Sequence, residues 1–247
     1  MKSLRMIGGW KHRIAPLVAA LFGVSAALAD IDFAKLSQET AQSHRDSKEF
    51  VFVWWIPTAI LEVAMKAGLR SSEAERNKIL KLVDGYTIFA VAHFRFGTHG
   101  EVAVMSREDL METSVFRVGN QVVPPEDEAL MPYTVFQAIN LLRPLTSQLV
   151  GGVDQGYHFI VYPNRKAGKP MISPDQAGRF EYSVGGRDFR WKLPLGSVLP
   201  PMVDPITGEV FPGNYRYNPF TGGELRKQGG IAPRWSPLRP AFRDVQP

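Results

Sequence analysis

The apolar residues along the chain follow two spacings, one typical of strands and one typical of helices. Between residues 86 and 96 they alternate with a period of two, which predicts a strand with two largely apolar faces. One predicted face carries Tyr86, Ile88, Ala90, Ala92, Phe94 and Phe96, and the other carries Thr87, Phe89, Val91, His93 and Arg95. A turn at 97–100 and a short apolar return at 101–105 predict a hairpin partner for this strand.

Helical spacing appears in three segments. After Pro57, which fits the first turn of a helix, apolar residues recur at Ile60, Leu61, Ala64 and Met65. Ser72 and Glu75 have the spacing of a capping box and predict a helix that ends at Asp84-Gly85. Residues 133–150 predict a third helix, which Pro144 kinks or splits.

Two segments near the start of this pattern are harder to assign. Residues 31–48 are polar with a weak helical pattern, which indicates a surface helix or an ordered lead-in. Residues 50–56 form a dense apolar run, which indicates a buried strand or helix rather than the start of a membrane span, because Pro57 and Glu62 interrupt the apolar sequence.

The second half of the chain predicts mostly short strands. They lie at 115–118, 121–123 and 157–162, preceded by a helical turn at 107–111. A loop extends to residue 176, and the Gly185-Gly186 pair between the alternating runs 179–184 and 187–193 predicts a tight hairpin. Because helices and strands are mixed without a regular βαβ alternation, the fold class is α+β, with a mainly antiparallel sheet, several helices and a small ribbon-like hairpin near the C-terminus.

The first 29 residues have the pattern of an export signal. Four basic residues precede the apolar segment 14–28, and Ala27-Leu28-Ala29 forms a small-x-small cleavage site. We expect a mature chain that begins at Asp30 and is periplasmic or secreted, and the alternative is an uncleaved anchor, which would be the one contact with a membrane. The expected division is 1–29 signal, 30–198 α+β domain, 199–225 ribbon and 226–247 extended Pro/Arg-rich tail.

Export changes the meaning of the charge. The full chain has 29 basic and 24 acidic residues, a net charge of +5, but four of the basic residues and none of the acids lie within residues 1–29. The mature chain is therefore close to neutral, and we expect no nucleic-acid partner. The chain has no cysteine, which excludes disulfides, thiolate metal sites and cysteine nucleophiles.

Candidate chemical groups are few. The sequence has no G-x-S-x-G, P-loop, G-x-G-x-x-G or H-E-x-x-H motif. His93, His99, Glu101 and His158 could converge on a metal or a catalytic site, but they could equally be separate strand, turn and packed residues. The acids at 126–128 suit the start of a helix better than a pair of catalytic carboxylates. The numerous aromatic residues could line a groove or fill the core.

Residues 203–225, VDPITGEVFPGNYRYNPFTGGEL, contain one phrase twice, as Asp-Pro-Ile-Thr-Gly and Asn-Pro-Phe-Thr-Gly. The segment resembles a zinc ribbon of the C-P-x-C-G type from which every cysteine is missing, and the alternative is two Pro-containing turns in a hairpin. The resemblance places the ligand positions at Asp204, Thr207, Asn218 and Thr221. Hydroxyl and amide oxygens bind zinc poorly, so we expect a ribbon without a metal or other cofactor.

The same segment allows a more detailed prediction. We expect Asp204 and Asn218 to accept bonds from backbone N–H groups of their turns, and Thr207 and Thr221 to bond across the gap or back to their turns. In other ribbons the bound zinc stabilises the fold. Here we expect the stabilisation to come from burial of apolar side chains, those of Val210, Phe211, Tyr215, Tyr217 and Phe220.

Three functional hypotheses follow. The first is an exported, non-catalytic protein that binds a protein or envelope component. The stretch LPLGSVLPP resembles segments of uncharacterised bacterial exported proteins, and this resemblance implies no function. The second is an enzyme or small-ligand binder with an aromatic-lined cleft at His93 and His158. The third is a scaffold subunit whose interface is the run 50–56 or the Arg/Pro tail.

Overall fold

The computed structural model describes residues 32–68, 72–149 and 156–227. The predicted signal, its cleavage site and the tail beyond Lys227 lie outside these residues, so the expectations for them stay predictions. Within the described ranges no helix is long and apolar enough to span a membrane.

The described residues form five α-helices and fourteen strands, and every strand pairing is antiparallel. The helices are α1 (Phe33–Thr40), α2 (Thr58–Gly68), α3 (Glu73–Val83), α4 (Arg107–Thr113) and α5 (Tyr133–Leu149). The strands are β1 (Ala41–Arg45), β2 (Glu49–Ile56), β3 (Tyr86–Phe96), β4 (Val102–Val104), β5 (Val115–Val118), β6 (Gln121–Val123), β7 (His158–Pro163), β8 (Arg165–Lys166), β9 (Lys169–Pro170), β10 (Gly178–Val184), β11 (Arg187–Leu193), β12 (Met202–Val203), β13 (Val210–Phe211) and β14 (Arg226–Lys227). The predicted α+β class is confirmed.

Strand β3 organises the central sheet. One edge of β3 pairs with β2, and its other edge pairs first with β7 and then with β4. β1 covers the free edge of β2. Both faces of β3 contribute to the core. Ile88 and Phe89 point to opposite faces of the strand, and both are buried.

A second sheet, in the order β11-β10-β5-β6, packs over the Phe89 face of the central sheet. The aromatic residues interlock here: the ring centroids of Phe89 and Tyr182 are 4.3 Å apart, and those of Trp55 and Phe180 are 4.8 Å apart. Phe116, Tyr162 and Trp191 complete the cluster. All seven side chains are buried, so these aromatic residues belong to the core between the two sheets.

Helices cover the opposite face of the central sheet. Ile88, Ala90 and Ala92 are buried there, and α2, α3 and α5 contact one another in this layer. The predicted capping box opens α3, since the Ser72 side chain accepts from the Glu75 N–H and the Glu75 carboxylate accepts from the Ser72 N–H. Pro144 lies inside α5, and the helix continues past it to Leu149.

Three local expectations need correction or completion. The segment 31–48, predicted as a surface helix or an ordered lead-in, is helical only from Phe33 to Thr40, and the polar sequence AQSHR that follows is the edge strand β1. The sequence of β1 shows no alternation of apolar and polar residues, because this edge strand buries little of its side chains. The run at 50–56 is a strand, β2. A small hairpin, β8-β9, lies in the segment predicted as a loop.

The C-terminal ribbon has its own three-stranded sheet, in the order β13-β12-β14, and so extends to Lys227, past the expected boundary at residue 225. Phe211 and Leu225 are buried within it but are not part of the main core cluster. The ribbon is fastened to the domain through Gly213, whose N–H donates to the carbonyl of Gly196 at 3.1 Å. A Cβ at Gly213 would lie 2.5 Å from the carbonyl oxygen of Pro200, so this close approach requires glycine.

Candidate interaction site

The first repeated phrase folds into a turn organised by Asp204. Its Oδ1 accepts from the N–H groups of Ile206, at 2.8 Å, and Thr207, at 3.2 Å. Its carbonyl accepts from the N–H of Gly208 at 2.9 Å, where the positive φ of 75° favours glycine. We call residues 204–208 the first knuckle.

The second phrase, residues 218–222, repeats this arrangement, and we call it the second knuckle. The Oδ1 of Asn218 accepts from the N–H groups of Phe220, at 2.8 Å, and Thr221, at 3.3 Å. The carbonyl of Asn218 accepts from the N–H of Gly222 at 2.8 Å, and Gly222 has φ 72°. The predicted Asx-turns are confirmed at both positions.

A single side-chain hydrogen bond joins the two knuckles. The Nδ2 of Asn218 donates to the Oδ2 of Asp204 at 2.6 Å, and both residues are buried. This bond, together with the N–H donors of the turn, lowers the pKa of Asp204. The two phrases begin with different residues, Asp204 and Asn218, and this difference makes the bond between the knuckles possible, because the amide donates and the carboxylate accepts.

The threonine hydroxyls complete their own turns. Thr207 Oγ1 accepts from the N–H of Glu209 at 3.2 Å, and Thr221 Oγ1 accepts from the N–H of Gly223 at 3.3 Å. Of the two alternatives predicted for these hydroxyls, the structure takes the bond back to the turn. The four positions do not fit zinc. Asp204 Oδ2 already accepts a hydrogen bond from the Asn218 NH₂ group, and an amide NH₂ group has no free lone pair to bind a metal.

The apolar residues of the ribbon differ from the prediction. Of the five expected to be buried, only Phe211 is; Val210, Tyr215, Tyr217 and Phe220 are exposed, and the expectation for these four was wrong. Ile206 and Phe220 are the extreme cases, 90% and 81% exposed. They occupy the same third position in the two knuckles. The hydrogen-bond network and the pair Phe211 and Leu225 hold the ribbon, so its remaining apolar residues are left on the surface.

The histidines chosen from the sequence lie in different surroundings. His99 and Glu101 contact each other in the exposed turn, with 3.6 Å between Nδ1 and Oε1. His93 is buried and contacts Glu49 instead, with 2.9 Å between Nε2 and Oε2. His158 is partly buried, and burial lowers its pKa, with a further decrease from Arg107. No cluster of potential ligand atoms within 4.8 Å joins these four residues in the described chain.

An ion-pair network that no sequence pattern predicted surrounds His93. Arg187, at the start of β11, reaches across to the central sheet, where Nη2 lies 2.7 Å from Glu49 Oε1 and 3.3 Å from Asp46 Oδ2. His44, Asp46 and Glu49 place potential ligand atoms within 4.8 Å of one another. The Arg187 guanidinium contacts both carboxylates and offsets one of their two negative charges, so we interpret the group as an ion-pair network between the sheets.

The acids at 126–128 also have a structural use. Asp127 caps a short 3-10 helix, Glu128–Leu130, by accepting from the N–H of Ala129 at 2.9 Å, and Glu128 pairs with Arg107. This agrees with the interpretation of these acids as helix-start residues.

No protein-family model matches the sequence, and no curated protein is significantly similar to it. Among solved structures, a DUF4426 family protein from Pseudomonas aeruginosa PAO1 aligns with 62% of this chain and 94% of its own chain, at 14% identity and a TM-score of 0.27. A likeness at that TM-score says nothing about function.

Proposed function

We propose that the chain is an exported, non-catalytic interaction protein whose two knuckles bind a protein partner. The observation that carries the proposal is the exposure of Ile206 and Phe220, 90% and 81%, at equivalent positions of two hydrogen-bonded turns. Single exposed apolar residues are common on protein surfaces, but here two stand at matching positions of one small module, with Tyr215 and Tyr217 also exposed.

The backbone beneath these side chains favours binding. The N–H groups of Ile206 and Phe220 are each held at 2.8 Å by the Asx-turn of their own knuckle, and the Asp204–Asn218 bond fixes one knuckle to the other. Little backbone freedom is left to lose when a partner binds, which reduces the entropic cost of association. An aromatic and an aliphatic side chain in this setting are suitable anchors for pockets on a partner.

The burial of the aromatic cluster favours this function over the enzyme hypothesis. A cleft at His93 and His158 would need accessible aromatic walls, but Trp55, Phe89 and Phe180 are buried between the two sheets. His93 is itself 1% exposed. The scaffold hypothesis loses one of its two interfaces for the same reason, because the run at 50–56 is the interior strand β2.

The partner that fits is a protein with an apolar groove that admits the side chains of Ile206 and Phe220. Export itself rests on the charged start, apolar segment and cleavage pattern of residues 1–29. N-terminal sequencing of the native protein should give Asp30, and recovery of a chain that begins at Met1 would contradict export without bearing on the knuckles.

Site-specific photo-cross-linking in the native host tests the proposal. A photoreactive phenylalanine analogue would replace Ile206 or Phe220 in separate strains. Leu130 and Tyr133 are matched controls, because both are apolar, 75% exposed and outside the ribbon. We expect one protein of discrete mass to be cross-linked from both knuckle positions and not from the controls.

Two results would contradict the proposal. Equal cross-linking from all four positions would mean that the ribbon is no more of an interaction site than other exposed apolar surface. Adducts with lipid alone at positions 206 and 220 would assign the knuckles to a membrane surface instead of a protein.

A further inference from the structure

The outward face of the second sheet is strongly basic. Phe180, Tyr182 and Trp191 point into the core, so the residues that alternate with them point outward. The charged outward residues are Arg179 and Glu181 on β10, Asp188, Arg190 and Lys192 on β11, and Arg117 on β5. This face therefore presents four cations and two carboxylates.

The first row across this face is an ion-pair triplet. Glu181 lies opposite Arg117 on one side and opposite Arg190 on the other. Its carboxylate lies 3.6 Å from Arg117 Nη1 and 2.6 Å from Arg190 Nε. Arg190 also contacts Asp188, at 3.1 Å. The two guanidinium groups carry more N–H donors than they use on the carboxylates of Glu181 and Asp188, so some donors of the row remain free.

The second row consists of cations alone. Arg179 and Lys192 are directly opposite each other on β10 and β11, and both are exposed. Neither has a carboxylate within 4.0 Å among residues 32–68, 72–149 and 156–227. Like charges directly opposite on antiparallel strands destabilise a sheet. An anion held between them would convert that repulsion into attraction.

An open cavity of about 900 Å³ lies over these two rows. Five of the six charged residues line it, all except Asp188, and Gly119, Ala177 and Gly178 line it as well. A volume of this size is within the range of small-molecule sites, roughly 300–1,000 Å³.

We propose that this basic cavity binds a small organic anion that carries more than one phosphate or carboxylate group. Arg179 and Lys192 would bind one anionic group, through the planar donors of the guanidinium and the point charge of the ammonium. Arg117 and Arg190 would bind a second group with the donors that Glu181 and Asp188 leave free. The site is on the second sheet and does not depend on the ribbon or its partner.

Calorimetric titration of the purified mature chain tests this site. The probes are citrate for carboxylate recognition and inorganic pyrophosphate for phosphate recognition, each at low ionic strength. We expect saturable binding of one molecule of at least one probe, and weakening as NaCl is raised, because exposed charges are screened over about 10 Å at 0.1 M salt. Binding of citrate alone or of pyrophosphate alone would identify the recognised group.

Paired variants separate a local site from the effect of net charge. Arg179→Gln with Lys192→Gln removes the unpaired row, and Lys78→Gln with Lys81→Gln removes the same charge from α3. We expect the first pair to weaken binding by about tenfold or more and the second to leave it within about twofold. The proposal is overturned if neither probe binds, if both pairs weaken binding equally, or if only a long polyanion such as heparin binds.

Discussion

Gly185 lies against the imidazole of His93, where the two sheets meet. A Cβ at Gly185 would be 2.7 Å from His93 Cε1, and the backbone there has φ 58°. The next residue, Gly186, also has a positive φ, 78°, but nothing lies within 4 Å of its added Cβ. The two glycines therefore share a conformational requirement and differ in contact with the histidine.

This difference gives a prediction about stability. Gly186→Ala should lower the free energy of unfolding by about 1 kcal/mol because of its left-handed backbone. Gly185→Ala should cost about 1–3 kcal/mol more, because the added methyl group overlaps a ring that Glu49 holds in place. Urea denaturation measures both. Equal losses, or an excess that persists when His93 is replaced by Ala, would contradict the contact.

The Asp204–Asn218 bond allows a test by exchange of residues. Asp204→Asn keeps an oxygen for the turn but directs one NH₂ group at another, and Asn218→Asp directs one carboxylate at another. Each single variant should accelerate the hydrogen exchange of the Ile206 and Phe220 amides by about tenfold or more. The double variant Asp204→Asn/Asn218→Asp reverses donor and acceptor and should restore protection.

Exchange measured by NMR reads the ribbon directly, so the result does not depend on global unfolding. A double variant no better protected than the single variants would show that the bond is not what joins the knuckles.

Stoichiometric zinc or calcium in the purified chain, lost on Asp204→Ala, would show that the ribbon holds a metal, contrary to the fit of its ligands.

At the scale of elements, Arg187 ties β11 to β2 and to the turn before it. Its hydrogen bond, followed by that of His93, lowers the pKa of Glu49 below the ordinary 4.5. The N–H groups of Lys48 and Glu49 lower the pKa of Asp46 to about 2, and His44 contributes to the same decrease. Both carboxylates therefore lose their protons at a lower pH in the folded chain than they ordinarily would.

The pH dependence of stability follows from the sign of the Glu49 shift. Because its pKa is lower folded than unfolded, Glu49 stabilises the fold fully above pH 4.5, and this contribution is lost as the pH falls through the lowered folded pKa. Glu49→Gln should flatten the pH dependence of the urea midpoint below about pH 4.5, and Arg187→Gln should do so partly, since His93 remains. An unchanged slope in both variants would contradict the network.

The elements also show what the sequence could and could not predict. The period of β3 and the Gly-Gly hairpin were readable because each buries a regular pattern of side chains. β1 was missed because AQSHR has no apolar face and takes its strand conformation from pairing with β2. The aromatic residues could be core or groove until the pairing of the two sheets enclosed them, which is a tertiary effect.

The same limit applied to the candidate site. The turns of the ribbon were predictable, since Asx-turns depend on neighbouring residues. Whether the apolar residues of the ribbon are buried or exposed was not predictable, because hydrophobicity does not distinguish a side chain that faces a core from one that faces a partner. The exposure of Phe220 became visible only when the ribbon was seen to have a core of little more than Phe211 and Leu225.

At the scale of the whole molecule, the domain and the ribbon have different tasks in this account. The two sheets and the helical layer bury most of the large aromatic residues described in the domain, whereas the ribbon leaves Ile206, Tyr217 and Phe220 exposed. The domain would hold the ribbon in place through Gly196 and Gly213, and the ribbon would carry the contact with a protein partner. The basic cavity on the second sheet would be a separate ligand site.

The affinity of the cross-linked partner for knuckle variants tests the central claim most directly. With the partner purified, Ile206→Ser and Phe220→Ser should each raise Kd by about tenfold or more, as loss of a buried anchor does. Leu130→Ser and Tyr133→Ser should leave Kd within about twofold. An unchanged Kd for both knuckle variants, with protected amides showing that the turns are intact, would contradict the account.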